Sequence, residues 1–468
     1  RSSLHDGTTW FLQGFHVDPV WRDSQSGYQA LTFSNLSQYL RAAHADNGFD
    51  FFMSEIPYLK PYYDAYPEDR ILIRELVKTG RIETGGSYNQ PSEARCRPIE
   101  FIRNILYGRL FHENVLNDSP KVYQPWDVFG HITQLSQILS KSEFIGTVWE
   151  RSNYRTADVR VPGIPDLYFA QSPDGTKLPT RKLSYGFDNP GGGPASETEI
   201  RTRTIMARFL EEQQKQIKGV RYDLRLNAID EKAPSAWMVG RCNIFRSYIP
   251  EVRLNADGGQ QYFEHVLDQY HSEKLDIPVM SRDVSQYNEG CELSRFDLKL
   301  GNRLGENTLI SAEKFSTFAN VLGMPYPAMA LDKAWRQLLY GQHHDGITGC
   351  GADVPYLDHT AAYHEALELG GRSLYAALDF ISNKTDTRYT NEQAIPVVVF
   401  NSLKWKRDDA IRLLLQFAEP VEGFKLMDAQ GKVVPCVVNR VKRKDSGIKS
   451  AVITFIAAHV PSVGYKSW

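Results

Sequence analysis

The stretch "TTWFLQGFHVDPVW", residues 8 to 21, passes from strand-forming residues to polar ones within a few positions. Residues 8–16 are mostly aromatic, β-branched or aliphatic, which predicts a β-strand. His16 and Asp18 come at its end, and positions i and i+2 of an extended chain face the same side. Such a pair can form half of a zinc site, although a histidine hydrogen-bonded to an aspartate in a loop would explain it equally.

This strand is the first of a series that alternates with helices up to about residue 290. Further strands are predicted at residues 49–55, 80–86, 120–127, 143–150 and 276–282. Apolar residues recur with helical spacing at residues 71–80, 100–115, 132–142 and 259–273. The alternation predicts an α/β fold, a mostly parallel and barrel-like domain in which ligands bind at the carboxyl ends of the strands.

Two further regions follow this α/β domain. Residues 293–388 contain three helical patterns, which predict a three-helix bundle whose third helix is interrupted at Gly370 and Gly371. Residues 389–468 contain β-type runs that look like the first strands of a β-sandwich, and we expect this β-rich region to be incomplete. The predicted domains are therefore residues 1–292, 293–388 and 389–468.

The composition limits the classes of function. Hydrophobic residues make up 42% and charged residues 24%, with a net charge of −2 and no block of lysine and arginine. This balance argues against nucleic acid as a partner. No apolar run approaches the roughly 18 residues of a membrane span. The five cysteines contain no C-x-x-C pair, so no thiolate zinc site is expected.

Two other segments place acids and histidines at the ends of predicted elements. In "YQPWDVFGHI", residues 123–132, Asp127 falls where a strand is expected to end, and it could either serve a functional site or cap a following helix. In "YGQHHDGITG", residues 340–349, His343, His344 and Asp345 come at a predicted helix end. Adjacent histidines on a helix cannot share one face, so at most one of them is expected to point into a common site.

A fourth segment, "YGFDNPGGGP" at residues 185–194, is rich in glycine and carries Asp188. It reads either as a flexible loop or as a loop that holds a carboxyl group near a pocket. Taken singly, each of these segments has an ordinary structural explanation. Taken together, they supply the histidines and acids that a catalytic zinc site with an acid/base residue requires.

Six motifs occur in an order that resembles family 38 of the glycoside hydrolases, the zinc-dependent retaining α-mannosidases. They are "HVDPVW", "WDVFGHITQL", "WERSNY", "GGGP", "GQHHDGITG" and "FNSLKW". The resemblance extends from about residue 10 to residue 468. The patterns H-x-D-P-x-W, D-x-F-G-H and Q-H-H-D-x-I-T-G are specific in this combination.

The resemblance implies a set of catalytic residues. One Zn²⁺ would be bound by His16, Asp18, Asp127 and His344. Asp127 would also be the nucleophile at the anomeric carbon, and Asp188 would be the general acid/base. Retention of configuration needs two such carboxyl groups about 5 Å apart. A zinc ion that chelates two ring hydroxyls would select manno configuration, whose neighbouring 2- and 3-hydroxyls are cis.

The resemblance also implies substrate contacts, namely Trp21, Phe129, Arg151, His343 and Asp345. Trp21 would stack under the sugar, and Arg151 would contact the nucleophile and keep it ionised. His343 and Asp345 would hydrogen-bond sugar hydroxyls or the nucleophile. Two positions depart from the family pattern: Val128 replaces a proline after the nucleophile, and Pro190 precedes the glycine run.

Other functions remain open on the sequence. A zinc-dependent carbohydrate deacetylase would use a similar H-x-D pair but would attack with hydroxide, and a glycan-binding fragment could have lost catalysis. The acid/base could also be Glu150, Asp223 or Asp230. The expected partner is an α-mannose-containing glycan, with a C-terminal β-domain fragment or a second copy of the chain as further partners.

Overall fold

The computed structural model describes residues 8–149, 164–183, 219–234, 253–255, 258–284, 293–387 and 394–468. Within these ranges the chain forms two compact units. The first contains Arg1–Asn302 with Gln337–Tyr363, and the second contains Arg303–Arg336 with His364–Trp468.

The first unit is built on two sheets. One sheet has the order β3-β2-β1-β8, with β9 also pairing with β1, and all of its pairings are parallel. Its strands are β1 (Thr8–His16), β2 (Phe51–Glu55), β3 (Ile82–Ser87), β8 (Asp223–Asp230) and β9 (Arg253–Asn255). The predicted first strand therefore runs through the middle of this sheet and ends at His16.

The second sheet of this unit has the order β10-β6-β7-β5-β4. Its strands are β4 (Val122–Tyr123), β5 (Gly146–Trp149), β6 (Leu167–Gln171), β7 (Lys177–Lys182) and β10 (Val279–Met280). Only the hairpin of β6 and β7 is antiparallel among the described pairings of the two sheets. The prediction of a mostly parallel α/β fold is confirmed.

Helices connect these strands. They are α1 (Gln25–Ala45), α2 (Ile56–Ala65), α3 (Arg70–Lys78), α4 (Pro98–Phe111), α5 (Leu135–Lys141) and α6 (Gly259–Glu273). The hydroxyl of Ser24 caps α1 by accepting a hydrogen bond from the amide of Gly27, at 3.2 Å. The sequence patterns predicted α3 to α6 closely but missed α1 and α2.

Apolar side chains cover both faces of the first sheet. Successive residues of a strand point to opposite faces, so Trp10 and Leu12 lie in one apolar cluster while Phe15 lies in another. Phe52 joins the first cluster, and Phe51 joins the second. Burial on both faces is typical of parallel sheets, and it leaves the carboxyl ends of the strands as the place for polar side chains.

Four helices follow residue 293. They are α7 (Phe296–Val321), α8 (Ala328–Gly341), α9 (His344–Thr348) and α10 (Asp353–Lys384). The three predicted helices are present, but α10 is continuous through Gly370 and Gly371, so the predicted interruption is wrong. A Cβ atom at Gly370 would lie 2.5 Å from a side-chain carbon of Leu309, which shows that the glycine permits a close approach of α7.

The end of the chain is β-rich, as predicted. Strands β12, β14 and β13 form an antiparallel sheet in that order, and β11 pairs with β15. The strands are β11 (Val398–Asn401), β12 (Arg407–Val421), β13 (Cys436–Lys444), β14 (Gly447–Val460) and β15 (Gly464–Ser467). None of the helices that the structure describes has the length and hydrophobicity needed to cross a membrane.

Candidate metal and active site

The first pair of site residues lies at the carboxyl end of β1. His16 is the last residue of the strand, and Asp18 follows two positions later, so both side chains project to the same side. Both are buried, at 1% and 2% exposure. The Nε2 atom of His16 lies 2.9 Å from Oδ1 of Asp18.

Asp127 lies beyond the carboxyl end of β4, between the buried residues Trp126 and Val128. Its backbone amide donates a hydrogen bond to the side-chain oxygen of Gln90, at 3.0 Å. The following turn depends on Gly130, whose φ is 111°. Helix α5 begins only at Leu135, so the alternative that Asp127 caps it is wrong.

The chain leaves the helical conformation just before the two adjacent histidines and resumes it at the second. Helix α8 ends at Gly341, His343 has an extended backbone with φ −47° and ψ 145°, and α9 begins at His344. The two histidines therefore do not lie on one helix, and both side chains can point toward the same site. The two imidazole rings lie close together, with centroids 4.0 Å apart, and both are fully buried.

These three segments meet at one point. The Nε2 atom of His344 lies 3.2 Å from Oδ2 of Asp127 and 3.4 Å from Oδ1 of Asp18. His16 Nε2 lies 4.0 Å from the same oxygen of Asp127. One ligand atom from each of these four residues falls within 4.8 Å of all the others, close enough to surround one metal ion. A second set of the same kind shares Asp18 and His344 and adds His343 and Asp345.

The donor groups fit a metal ion. The Nδ1 atom of His344 lies 2.9 Å from the backbone oxygen of Gln90, and since a carbonyl oxygen only accepts, Nδ1 carries the proton. The lone pair of Nε2 is then directed toward Asp18 and Asp127. Two imidazole nitrogens and two carboxylate oxygens are a donor set that suits zinc, and a hydrogen bond to the far nitrogen is the usual support of a metal-binding histidine.

The pKa values reflect how closely charges are packed here. At His16 burial lowers the pKa, but the surrounding carboxylates, Asp18 first among them, outweigh it and raise the pKa to about 10. At Asp18 burial raises the pKa, but the imidazoles of His16 and His344 hold it well below its usual range. Burial and the charge of His344 lower the pKa of His343 well below its usual value, so that this ring is neutral. A metal ion that binds at His16 would take the place of a proton.

The remaining predicted residues are placed as follows. The ring of Phe129 is buried and meets the ring of His344 edge to face, with centroids 5.2 Å apart. Trp21 is half-buried, and the guanidinium carbon of Arg22 lies 3.7 Å from the centroid of its ring. Asp345 is buried, and its Oδ2 lies 3.6 Å from Nε2 of His344. The other two predicted residues, Arg151 and Asp188, lie outside the described residues.

Two buried residues of the site were missed at the sequence level. Gln90 contacts three of the four grouped residues through its backbone and side chain, and Glu55 lies beside His16 at the end of β2. A polar residue at the carboxyl end of a predicted strand was the available signal, since Glu55 ends the predicted strand 49–55. Gln90 follows a predicted strand by several positions and carried no such signal.

Comparisons with known proteins give a consistent picture. Residues 7–289 match the glycosyl hydrolases family 38 N-terminal domain, and residues 286–381 match the alpha mannosidase middle domain. Alpha-mannosidase 2 of Drosophila melanogaster is 24% identical in an alignment 407 residues long, which covers 75% of this chain and 37% of that protein. A putative mannosylglycerate hydrolase of Halalkalibacterium halodurans is 20% identical, over 84% of this chain and 45% of that protein.

A solved structure shares the fold. The crystal structure of an alpha-mannosidase from Enterococcus faecalis aligns with a TM-score of 0.81 and 18% identity, covering 98% of this chain and 56% of that chain. The chain therefore spans between about a third and somewhat more than half of the length of the relatives named here.

Proposed function

The chain belongs to family 38 of the glycosyl hydrolases, and on this premise we propose that it hydrolyses terminal α-mannosidic linkages with retention of configuration. The observation that carries the proposal is the meeting of His16, Asp18, Asp127 and His344, four buried ligand groups from three distant segments of one unit.

The metal is proposed to be one Zn²⁺, held by these four side chains. When bound, it supplies positive charge that orients two ring hydroxyls of the sugar and stabilises charge in the transition state. The protein supplies the rest of the environment. Phe129 forms an apolar wall against His344, and the neutral imidazole of His343 and the carboxyl group of Asp345 offer hydrogen bonds to sugar hydroxyls.

The first step is proposed to form a bond between a carboxylate oxygen of Asp127 and the anomeric carbon. The glycosidic C–O bond breaks, its electron pair goes to the leaving oxygen, and this oxygen takes a proton from the general acid. The amide of Asp127 is held by Gln90, which fixes the backbone from which the nucleophile projects. Arg151 is proposed to contact Asp127 and keep it ionised.

In the second step the same acid/base residue takes a proton from water, and the water oxygen attacks the anomeric carbon. The ester bond to Asp127 breaks, and mannose leaves with its original configuration because the carbon has been inverted twice. Asp188 is proposed as this acid/base, and Trp21 as the surface on which the sugar stacks.

The domain bounds 1–292, 293–388 and 389–468 are part of the same proposal.

A mechanism-based label tests the proposal. A 5-fluoro mannosyl fluoride, which keeps the 2- and 3-hydroxyls, should react once, arrest turnover and leave an adduct that peptide mapping places on Asp127. The matched control is Asp127→Asn, which should remain unlabelled. Label on another carboxylate, or an inverted product observed by NMR, would overturn the mechanism. Deacetylation of an acetylated sugar without any label would favour the deacetylase instead.

The substrate class is proposed from the names of the relatives. The names alpha-mannosidase 2 and putative mannosylglycerate hydrolase both refer to mannose-containing substrates. A panel of α-mannosides with α-1,2, α-1,3 and α-1,6 linkages, together with mannosylglycerate, should include at least one substrate. Turnover of glucosides or galactosides in preference to all of these would contradict the proposal.

A further inference from the structure

Glu55 is a buried acid of the first unit to which neither the proposed metal site nor the mechanism assigns a role. It is the last residue of β2, pairs in register with Ser87 of β3, and has no exposed surface. Its Oε1 atom lies 3.7 Å from Nδ1 of His16, and its Oε2 atom lies 3.9 Å from Nε2 of His343. Glu55 is also the N-cap residue of α2, and its side chain faces the backbone amide of Tyr58, but neither oxygen makes a full hydrogen bond in the described structure. A buried carboxyl group of this kind is costly unless something compensates it.

The orientation of the His16 ring indicates which group could compensate the buried carboxyl group of Glu55. Its Nε2 atom faces Asp18 at 2.9 Å, on the side where the four ligand groups meet, while its Nδ1 atom faces away. When Nε2 binds a metal ion, the proton of the neutral ring must sit on Nδ1. That N–H then needs an acceptor.

Two of the groups near Nδ1 differ in what they offer to it. The side-chain nitrogen of Gln90 lies at 3.5 Å, but the oxygen of the same amide is occupied by the backbone N–H of Asp127. The group that Gln90 turns toward His16 is therefore a donor. Oε1 of Glu55, at 3.7 Å from Nδ1, is an acceptor on this side of the ring.

A second imidazole, that of His343, lies near the other oxygen of Glu55. Its Nδ1 atom accepts a hydrogen bond from the amide of Asp345, at 3.4 Å, so that in the neutral ring Nε2 carries the proton. This N–H points toward Oε2 of Glu55 and toward Asp18, at 3.9 and 3.6 Å. The carboxyl group of Glu55 thus lies between the imidazole rings of His16 and His343, 3.7 and 3.9 Å from their nearest nitrogens.

We propose that Glu55 is a positioning residue for the metal: its carboxyl group accepts a hydrogen bond from Nδ1 of His16 and so holds this ring in the tautomer that binds the ion. This inference rests on the metal site of the proposed function. Such supports typically contribute about 10- to 100-fold to metal affinity.

The test compares Glu55→Gln with wild-type protein and with Glu93→Gln. Glu93 is also a buried acid that contacts a histidine, His131, at 2.8 Å, but it is outside the grouped ligands. Zinc dissociation constants are measured by competition with a chromophoric chelator, and the cobalt-substituted proteins are compared by visible absorption. We expect Glu55→Gln to bind zinc roughly 10- to 100-fold more weakly, with an altered cobalt spectrum, and Glu93→Gln to match the wild type.

Two further measurements separate positioning from a general structural role. Glu55→Asp keeps a carboxyl group and should recover part of the lost affinity. The melting temperature of metal-free Glu55→Gln should not fall below that of metal-free wild type, because the change removes a buried acid without a hydrogen-bond partner. Equal zinc affinity in wild type and Glu55→Gln, no recovery in Glu55→Asp, or a melting temperature lowered by several degrees would overturn this inference alone. Failure of the wild type to bind zinc would overturn the proposed function as well.

Discussion

The two ends of strands β1 and β8 both hold buried acids, but the acids have different partners. At the amino end, Asp223 lies 2.7 Å from the guanidinium group of Arg181 and also contacts Arg225. At the carboxyl end, the ion partners of Asp18 are imidazoles, those of His16, His344 and His343, at 2.9, 3.4 and 3.6 Å.

This difference separates structure from chemistry. A guanidinium group keeps its proton at any ordinary pH, so the cluster around Asp223 is a fixed ion pair. An imidazole can give up its proton and offer a lone pair, so the cluster around Asp18 can exchange protons for a metal ion. The two ends are far apart, because Asp223 pairs in register with Thr9 and Asp230 with His16, which corresponds to about 23 Å along the strands.

The strongest test of this comparison removes one charge at each end. Asp127→Asn should lower turnover by on the order of 10⁴-fold or more, because it removes the proposed nucleophile. Asp223→Asn should instead lower the free energy of unfolding by about 3–5 kcal/mol, because the buried Arg181 loses its closest acidic partner. Urea denaturation and turnover per folded molecule are measured on both variants.

The comparison fails if Asp223→Asn loses turnover, if Asp127→Asn loses stability, or if either variant loses both. Loss of turnover per folded molecule in Asp223→Asn would place chemistry at the amino end. Unfolding of Asp127→Asn in the absence of metal would show that Asp127 is chiefly structural.

A smaller effect concerns the acid/base. Asp223 lies at the far end of β8, which argues against Asp223 as the acid/base. The backbone register places Asp230 beside His16, so the variants to compare are those of Asp188 and Asp230. Asp188→Ala should lose on the order of 10²-fold or more with substrates that have poor leaving groups, and much less with activated ones. Added azide should speed the second step of this variant by replacing water.

Equal losses on both kinds of substrate, with no effect of azide, would mean that Asp188 is not the acid/base. The same pattern of selective loss in Asp230→Ala would then assign the role to that residue. Glu150 is the remaining sequence candidate for the same measurement.

The sequence predicted those parts of the site that depend on local rules. The alternation of an extended chain placed His16 and Asp18 on one side, and the hydrophobic periodicity located most helices of the first unit. It could not show that the chain would leave the helical conformation before His343 and resume it at His344, because helix α9 is short and carries no periodic pattern of its own.

The roles of Glu55 and Gln90 depend on tertiary contacts rather than local patterns. A single acid at the end of a strand has the same sequence signal whether it faces solvent or two imidazoles. The interruption predicted at Gly370 was wrong for a related reason: glycine weakens an isolated helix, but here it permits close packing against Leu309, and that contact exists only in the folded unit.

Metal analysis tests the central claim most directly, namely that one metal ion joins the carboxyl ends of β1 and β4 to the start of α9. Purified wild-type protein should contain one equivalent of zinc, and His344→Ala should lose it while retaining its fold by circular dichroism. The account would be contradicted if His344→Ala retained all of its zinc. It would also be contradicted if the wild-type protein bound no zinc after dialysis against a zinc-containing buffer.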